Sequence, residues 1–292
     1  MITLDGNKTA KDIKDELAVE VKEITKAGQR PPHLVAVLVG NNGASVTYVN
    51  WKVKDCEEVG YKSTLLKLSD TVSEKELLDE IERLNEDDGV DGFIVQLPLP
   101  KHIDEQNVIR AIKPEKDVDG FHPENVGKMA LNLPTFLPAT PAGIIELLDR
   151  YNIETGGKHC VVVGRSHIVG MPISVLMSQN HYPGNCTVTI THSRTRNLEK
   201  LLKEADIIIA ALGKPDFVTG EMVKKGAVVI DVGISRVPDT TKKSGYRIAG
   251  DVHFESVSKK SSFITPVPGG VGPMTRAMLL KNTMLAYKMR TH

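Results

Sequence analysis

Tyr48 and Lys52, in the stretch YVNWK, are four residues apart. On a helix that spacing lays one side chain over the other. A phenol and an amine so placed can share one substrate. The ring offers a flat amphipathic face, and the amine accepts a proton when its surroundings disfavour the ammonium form. Short-chain nicotinamide dehydrogenases use the same Tyr-x-x-x-Lys spacing, but downstream of a glycine loop in the same domain. Here the pair lies far upstream of the readable loop at Gly164, so that assignment fails on order alone. A solvated pair flanking the apolar stripe of Val46, Val49, Val53 and Cys56 remains open.

What must position the pair is a helix from about Ser45 to Val59, ended by Gly60, after a buried-type strand HLVAVLVG (His33–Gly40). Open parallel sheets bind ligands beyond the carboxyl ends of their strands. The helix starts at such an end. Gln96 ends a third strand, DGFIVQLPLP, which Pro98 and Pro100 break. Asp119 follows the next crossover, in the polar loop KPEKDVDGFHPENVG. Tyr, Lys, Gln and Asp would meet on one rim. Asp117 lacks a second close acid and is assigned to loop structure, and Trp51 to packing. Apolar periodicity also predicts helices over residues 8–27, ended by Gly28, and over 74–87 and 105–112, with a second strand at STLLKLS.

A second α/β series starts near Pro138, with a helix over 142–151 and strands KHCVVVG, CTVTITHS, ADIIIAALG and GAVVIDVG separated by short helices. VVVGRSHIVGMP runs an apolar strand into Gly164, with Gly170 and Pro172 opening the next helix. Such a turn lets backbone approach a pyrophosphate at a helix amino terminus. Ser166 stands where the usual second glycine would be, so an ordinary tight turn stays open. The next strand ends in His192-Ser193-Arg194-Thr195 without the acid that holds a ribose 2′-hydroxyl. With Arg165 and Arg194 nearby, a 2′-phosphate fits better, and NADP is favoured over NAD. TPVPGGVGPMT (Thr265–Thr275) reads as a rigid loop without regular structure, and the last helix as about 274–289.

At 292 residues, two domains are the prior. Lys+Arg and Asp+Glu are each 37, a formal net charge of zero, which argues against a nucleic-acid partner. No apolar run reaches bilayer length, and the amino terminus has no signal-type core. Cys56, Cys160 and Cys186 form no metal-type pair, and no histidine pair sits at ligand spacing, so a metal-free cytoplasmic protein is expected.

Together, Tyr48-x-x-x-Lys52, VQLPLP (Val95–Pro100), KDVDGFHPENVG (Lys116–Gly127), GRSHIVGMP (Gly164–Pro172), HSRT (His192–Thr195) and TPVPGGVGPMT resemble the bifunctional methylenetetrahydrofolate dehydrogenase/methenyltetrahydrofolate cyclohydrolase family, often called FolD, over nearly the whole chain. The resemblance implies an α/β fold of two domains around a cleft. A folate-binding catalytic domain would take residues 1–136 plus 275–292, and a Rossmann-type NADP domain residues 137–274. It also implies a homodimer acting in one-carbon metabolism and purine biosynthesis on a folate, with or without a polyglutamate tail. Lys52 would be the central catalytic residue, Tyr48 the stacking face, Gln96 the group that positions the lysine, and Asp119 the partner of the pterin edge. Gly164, Arg165, Ser166, Ser193, Arg194, Ile234 and Thr275 would contact NADP, and Pro268, Gly269 and Gly272 the substrate. The implied reactions oxidise 5,10-methylenetetrahydrofolate and hydrolyse the methenyl product. A monofunctional dehydrogenase is the alternative, because both steps would share one site.

Overall fold

The computed structural model describes residues 1–242 and 245–291. In chain order its first elements are β1 (Ile2–Thr3), α1 (Gly6–Lys26), β2 (His33–Val39), α2 (Gly43–Val59), β3 (Lys62–Leu68), α3 (Glu74–Glu86), β4 (Gly92–Val95), α4 (Glu105–Ala111) and α5 (Pro123–Ala130). Then follow α6 (Ala139–Arg150), β5 (His159–Val163), α7 (Gly170–Ser178), β6 (Thr187–Thr191), α8 (Leu198–Glu204), β7 (Ile207–Ala210) and β8 (Val228–Asp231). The chain ends with β9 (Ser235–Pro238), β10 (Tyr246–Ala249), α9 (Phe254–Ser258), β11 (Phe263–Ile264) and α10 (Val271–Thr291).

The chain divides into two compact units, one of Lys11–Ala139 with Arg276–His292, the other of Met1–Ala10 with Thr140–Thr275. The boundaries expected from sequence put the first ten residues with the Lys52 unit, whereas their contacts group them with the other. β1 pairs in parallel with β11, Ile2 opposite Phe263, and that ladder ties the amino terminus to the second sheet.

In the Lys52 unit, three parallel strands lie in the order β3-β2-β4. β2 is central and all seven of its residues are buried, as expected for a parallel strand covered on both faces. Val35, Val37 and Val39 pack with Phe93 of β4, with Leu77, Ile81 and Leu84 of α3 and with Val108 of α4. α3 opens with a capping box, where Ser73 Oγ takes the Glu76 N–H and the Glu76 carboxylate takes the Ser73 N–H. On α10, Asn282 is buried and its Nδ2 donates to Val118 O (2.8 Å) and Leu137 O (2.9 Å), which fastens the carboxyl-terminal helix to the segment around Asp119.

In the other unit, six strands lie in the order β1-β11-β8-β7-β5-β6, with every ladder parallel. β5, the first strand of the second series, has β6 on one side and β7 on the other, the order reversal that marks a dinucleotide-type switch point. β5, β7 and β8 are buried almost throughout, which matches their unbroken Val and Ile runs.

Two local expectations are corrected, and one element is new. The polar loop after Lys116 contains α5, because Pro123 sits at its first position and His122 Nδ1 accepts the Glu124 N–H. The glycine- and proline-rich run is irregular only up to Gly270. α10 starts at Val271, with Pro273 in the first turn, where its missing N–H costs no intrahelical bond. The antiparallel hairpin β9–β10 was not anticipated.

Asn282→Ala leaves the buried Val118 carbonyl and the partly buried Leu137 carbonyl without their donor. It should cost about 1–3 kcal/mol, seen as several degrees of lost thermal stability. An unchanged melting temperature would show that water replaces the amide.

Candidate active site

β2 hands over to α2 through Gly40, whose φ of 74° places it in the left-handed region. α2 buries Val49 and Cys56 completely and leaves Tyr48 and Lys52 half-buried on its flank. Beside β2, β4 extends its ladder by one bond, Gln96 N to Val37 O at 2.9 Å, which sets Gln96 at the strand's carboxyl end. Lys52 Nζ donates to Gln96 Oε1 at 3.2 Å. Gln96 Nε2 donates to Leu97 O at 2.7 Å, so the amide keeps its oxygen toward the lysine. Tyr48, Lys52 and Gln96 therefore stand where this small sheet has its own switch point.

Asp119 is positioned by its neighbours. Lys116 is buried and donates to Leu84 O and Asp87 O. Asp117 forms a bridge with Phe93, and the Val118 side chain lies so close to Gly92 that a Cβ there would come within 2.2 Å of it. The buried Asp117 carboxylate accepts from His122 N (2.7 Å) and Asn125 Nδ2 (2.8 Å). Burial pushes Asp117 up to about 6 against those bonds. It organises the turn that carries Asp119, which is the structural role expected for it.

Burial holds the Lys52 ammonium below its usual range, while Asp119 and Cys56 pull the other way. Desolvation wins, and the amine is easier to find in its neutral form. Among the described residues no cluster of His, Cys, Asp and Glu could hold a metal ion.

In the second unit, Gly164 ends β5 with φ 129°, and a Cβ on it would meet Ala211 O at 2.2 Å. A Cβ on Gly170 would meet Gly164 O at 2.4 Å. Only glycine fits either place. Ser166 Oγ accepts from Val169 N (3.2 Å) and Gly170 N (3.3 Å), which closes the turn that a second glycine would otherwise make. After β6, Thr195 Oγ1 accepts from His192 N and His192 Nδ1 accepts from Arg194 N, leaving Ser193 and Arg194 exposed. Arg165 is exposed at the end of β5. Arg196, in the same turn as Arg194, is exposed too and had not been singled out.

Ile234 is half exposed just after β8, its Cδ1 3.5 Å from where a Gly272 Cβ would stand. Thr275 Oγ1 pairs with Thr140 Oγ1 at 2.9 Å. Pro268, Gly269 and Gly272 belong to this unit and not to that of Lys52. Asn7 N donates to Gly269 O, so the amino-terminal segment helps hold this loop.

These features define a two-unit α/β protein that pairs a dinucleotide-type sheet with a separate lysine site. Residues 4–119 match the family described as tetrahydrofolate dehydrogenase/cyclohydrolase, catalytic domain, and residues 138–291 its NAD(P)-binding domain. Bifunctional protein FolD of Flavobacterium johnsoniae is 65% identical over 291 residues, covering 100% of this chain and 99% of the relative. A bifunctional FolD methylenetetrahydrofolate dehydrogenase/cyclohydrolase structure from Campylobacter jejuni is 46% identical, with a TM-score of 0.93 over 99% of both chains. The Trypanosoma brucei FolD structure, complexed with NADP cofactor and inhibitor, is 39% identical with a TM-score of 0.94, over 100% of this chain and 99% of that one. The chain belongs to the tetrahydrofolate dehydrogenase/cyclohydrolase family.

Two buried carboxylates at the same sheet edge escaped the sequence reading. Asp251 accepts from Leu212 N (2.5 Å), Gly213 N (3.0 Å) and Lys214 N (2.7 Å), and so shapes the loop after β7. Asp231 accepts from Gly233, Asp251 and Val252 N–H groups. The only sequence signal was an Asp within two residues of a Gly after each strand. Burial pushes Asp231 up to about 7, with the three N–H groups opposing. Its folded value lies above the unfolded carboxylate range, so the folded state holds this proton more tightly. That contribution to stability is complete below about pH 4 and is lost as pH rises through about 7. Asp231→Asn should flatten the fall in melting temperature between about pH 4 and 7. An unchanged slope would assign the decline to other groups.

Proposed function

We propose that this chain catalyses NADP-dependent oxidation of 5,10-methylenetetrahydrofolate to the methenyl compound and then hydrolyses it to 10-formyltetrahydrofolate, both at the Lys52 site. The observation that carries the reading is the half-buried Lys52 with its Nζ on Gln96 Oε1, at the carboxyl edge of a parallel sheet. The nucleotide unit fits NADP on its own terms. Gly164 and Gly170 leave no room for a Cβ, β6 ends without a carboxylate, and Arg165, Arg194 and Arg196 are exposed around the turn. Gly164, Ser166 and Ser193 would hold the phosphates and ribose, Arg165 and Arg194 the 2′-phosphate, and Ile234 and Thr275 the nicotinamide half.

NADP, when bound, supplies the hydride acceptor. The folate nitrogen lone pair expels the hydride, so the residues need only hold the substrate and exclude water. Tyr48 supplies the stacking face. Asp119 accepts from the amino group and ring N–H of the pterin. The hydrolytic step needs a base. Water adds to the cationic methenyl carbon while Lys52 takes its proton, directly or through Gln96. The hydroxyl then gives up its proton as the bond from that carbon to N5 breaks, so that the formyl C=O forms on N10 while N5 keeps the electron pair and receives a proton. A lysine held below its usual range suits that role.

Pro268, Gly269 and Gly272 complete the substrate set by family correspondence. Homodimerisation belongs to the same proposal, supported by the open edge of β6, where Ile190 is exposed. So does a cytoplasmic place in purine biosynthesis, supported by three free cysteines. Among the described residues no helix is long and apolar enough to cross a membrane.

Purified protein given 5,10-methylenetetrahydrofolate with NADP should form NADPH and 10-formyl product with little free methenyl compound. Accumulated methenyl compound would leave a monofunctional dehydrogenase. Lys52→Met should lose the cyclohydrolase rate by about a hundredfold or more. In the wild type that rate, above the spontaneous one, should rise with pH as the amine deprotonates. Full cyclohydrolase rate in Lys52→Met would remove the lysine from the role. Arg165→Ala with Arg194→Ala should raise the KM for NADP at least about tenfold and leave that for NAD little changed. Equal effects on both cofactors would place the arginines elsewhere than at the 2′-phosphate.

A further inference from the structure

Trp51 is the only tryptophan, and 47% of it is exposed. Sequence alone assigned it to packing, and the structure does not bury it. Nor is it a loose surface residue. Its ring centroid lies 5.6 Å from that of Tyr48, edge-on at 70°. The Arg276 guanidinium lies 5.2 Å from its centroid, over the ring. Arg276 is itself anchored, with Nη1 2.9 Å from Oδ2 of Asp55, a carboxylate only 4% exposed. Lys14 Nζ meets the other oxygen of Asp55 at 3.1 Å and also reaches Glu58. Tyr48, Trp51 and Asp55 share one flank of α2 through their three- and four-residue spacings.

A large aromatic surface left in water is unfavourable unless something covers it, and a cation fixed over one face restrains the ring's rotamers. Arg276 is engaged by Asp55, and Lys14 and Glu58 complete a balanced set of two cations and two anions. The cluster therefore offers shape rather than spare charge. What it presents is a rigid, apolar aryl face continuous with Tyr48.

We propose that Trp51, braced by Arg276, is a second aromatic wall of the substrate site and takes the flat aminobenzoyl part of the folate alongside Tyr48. The assignment rests on the folate reading above and adds a contact for the end of the substrate away from the reacting carbon. Lys52 and Gln96 would handle the chemistry and Trp51 would act in binding. Arg276 is a positioning residue, acting only through the tryptophan.

The test compares Trp51→Ala, Trp51→Leu and Trp51→Phe with wild type, after circular dichroism and melting confirm folding. The KM for 5,10-methylenetetrahydrofolate should rise about tenfold in the Ala and Leu variants, the scale of one aromatic stacking contact, with the KM for NADP unchanged. Trp51→Phe should restore most of the affinity, and Arg276→Met should give a smaller rise in the same KM. p-Aminobenzoylglutamate as a competing fragment should inhibit wild type better than Trp51→Ala. A folate KM within twofold of wild type in folded Trp51→Ala and Trp51→Leu would overturn the proposal, as would parallel rises for both substrates. Failure of wild type to oxidise the folate at all would instead sink the folate reading, so the two failures are distinguishable.

Discussion

The structure around the candidate catalytic group follows from one constraint. A lysine must lose enough water to favour its neutral form and still be reached by substrate. Full burial of an ammonium without partners is prohibitive, and full exposure leaves its proton in place. Lys52 meets the two demands at a helix flank, with the neutral Gln96 Oε1 as its acceptor. A carboxylate in that position would hold the ammonium form. The amide oxygen stabilises it far less and can also pass a proton through water. The dipole is useful only if its orientation is fixed, and the bond from Gln96 Nε2 to Leu97 O fixes it. That bond depends in turn on the place where β4 leaves its ladder with β2.

The second unit solves a different problem with the same geometry. A dinucleotide phosphate needs backbone at close range, so a Cβ must be absent where the turn is tightest. Gly164 and Gly170 clear the space, and Ala211 O closes against Gly164. Strand ends brought so near each other need fastening, and Asp231 and Asp251 provide it from beneath with six backbone N–H donors between them. The neighbouring glycines have the same cause. A Cβ on Gly250 would stand 1.9 Å from an Asp231 oxygen, and one on Gly233 2.4 Å from Asp251.

This division explains what could be read from the chain. Strand β2 is a long unbroken apolar run and α2 a long helix after it, so Tyr48 and Lys52 could be placed on a helix flank at a strand end, and Gln96 and Asp119 near them. The missed elements are short or depend on distant partners. β1 is two residues long and exists only because β11, far along the chain, pairs with it. The hairpin β9–β10 alternates partly covered and exposed residues over four-residue strands, too short a run for periodicity to register. Asp251 was invisible for a related reason. Its three donors come from residues 212–214, and no local pattern shows that a carboxylate faces them. Trp51 misled because its type suggests a core, whereas its cover comes from Arg276 at the other end of the sequence.

On the proposed chemistry, one amine suffices for two reactions because the charge of the substrate changes between them. During hydride loss the bound folate becomes a cation. A positive bridge near Lys52 adds to the desolvation that already disfavours the ammonium, so the amine is most easily neutral when the methenyl carbon is ready for water. Asp119 opposes this by favouring the charged lysine, and a site with only desolvation would release the proton at any stage. The balance ties base strength to the state of the substrate. Arginine could not serve, since it stays protonated, and histidine would be neutral throughout, removing the dependence on the methenyl charge.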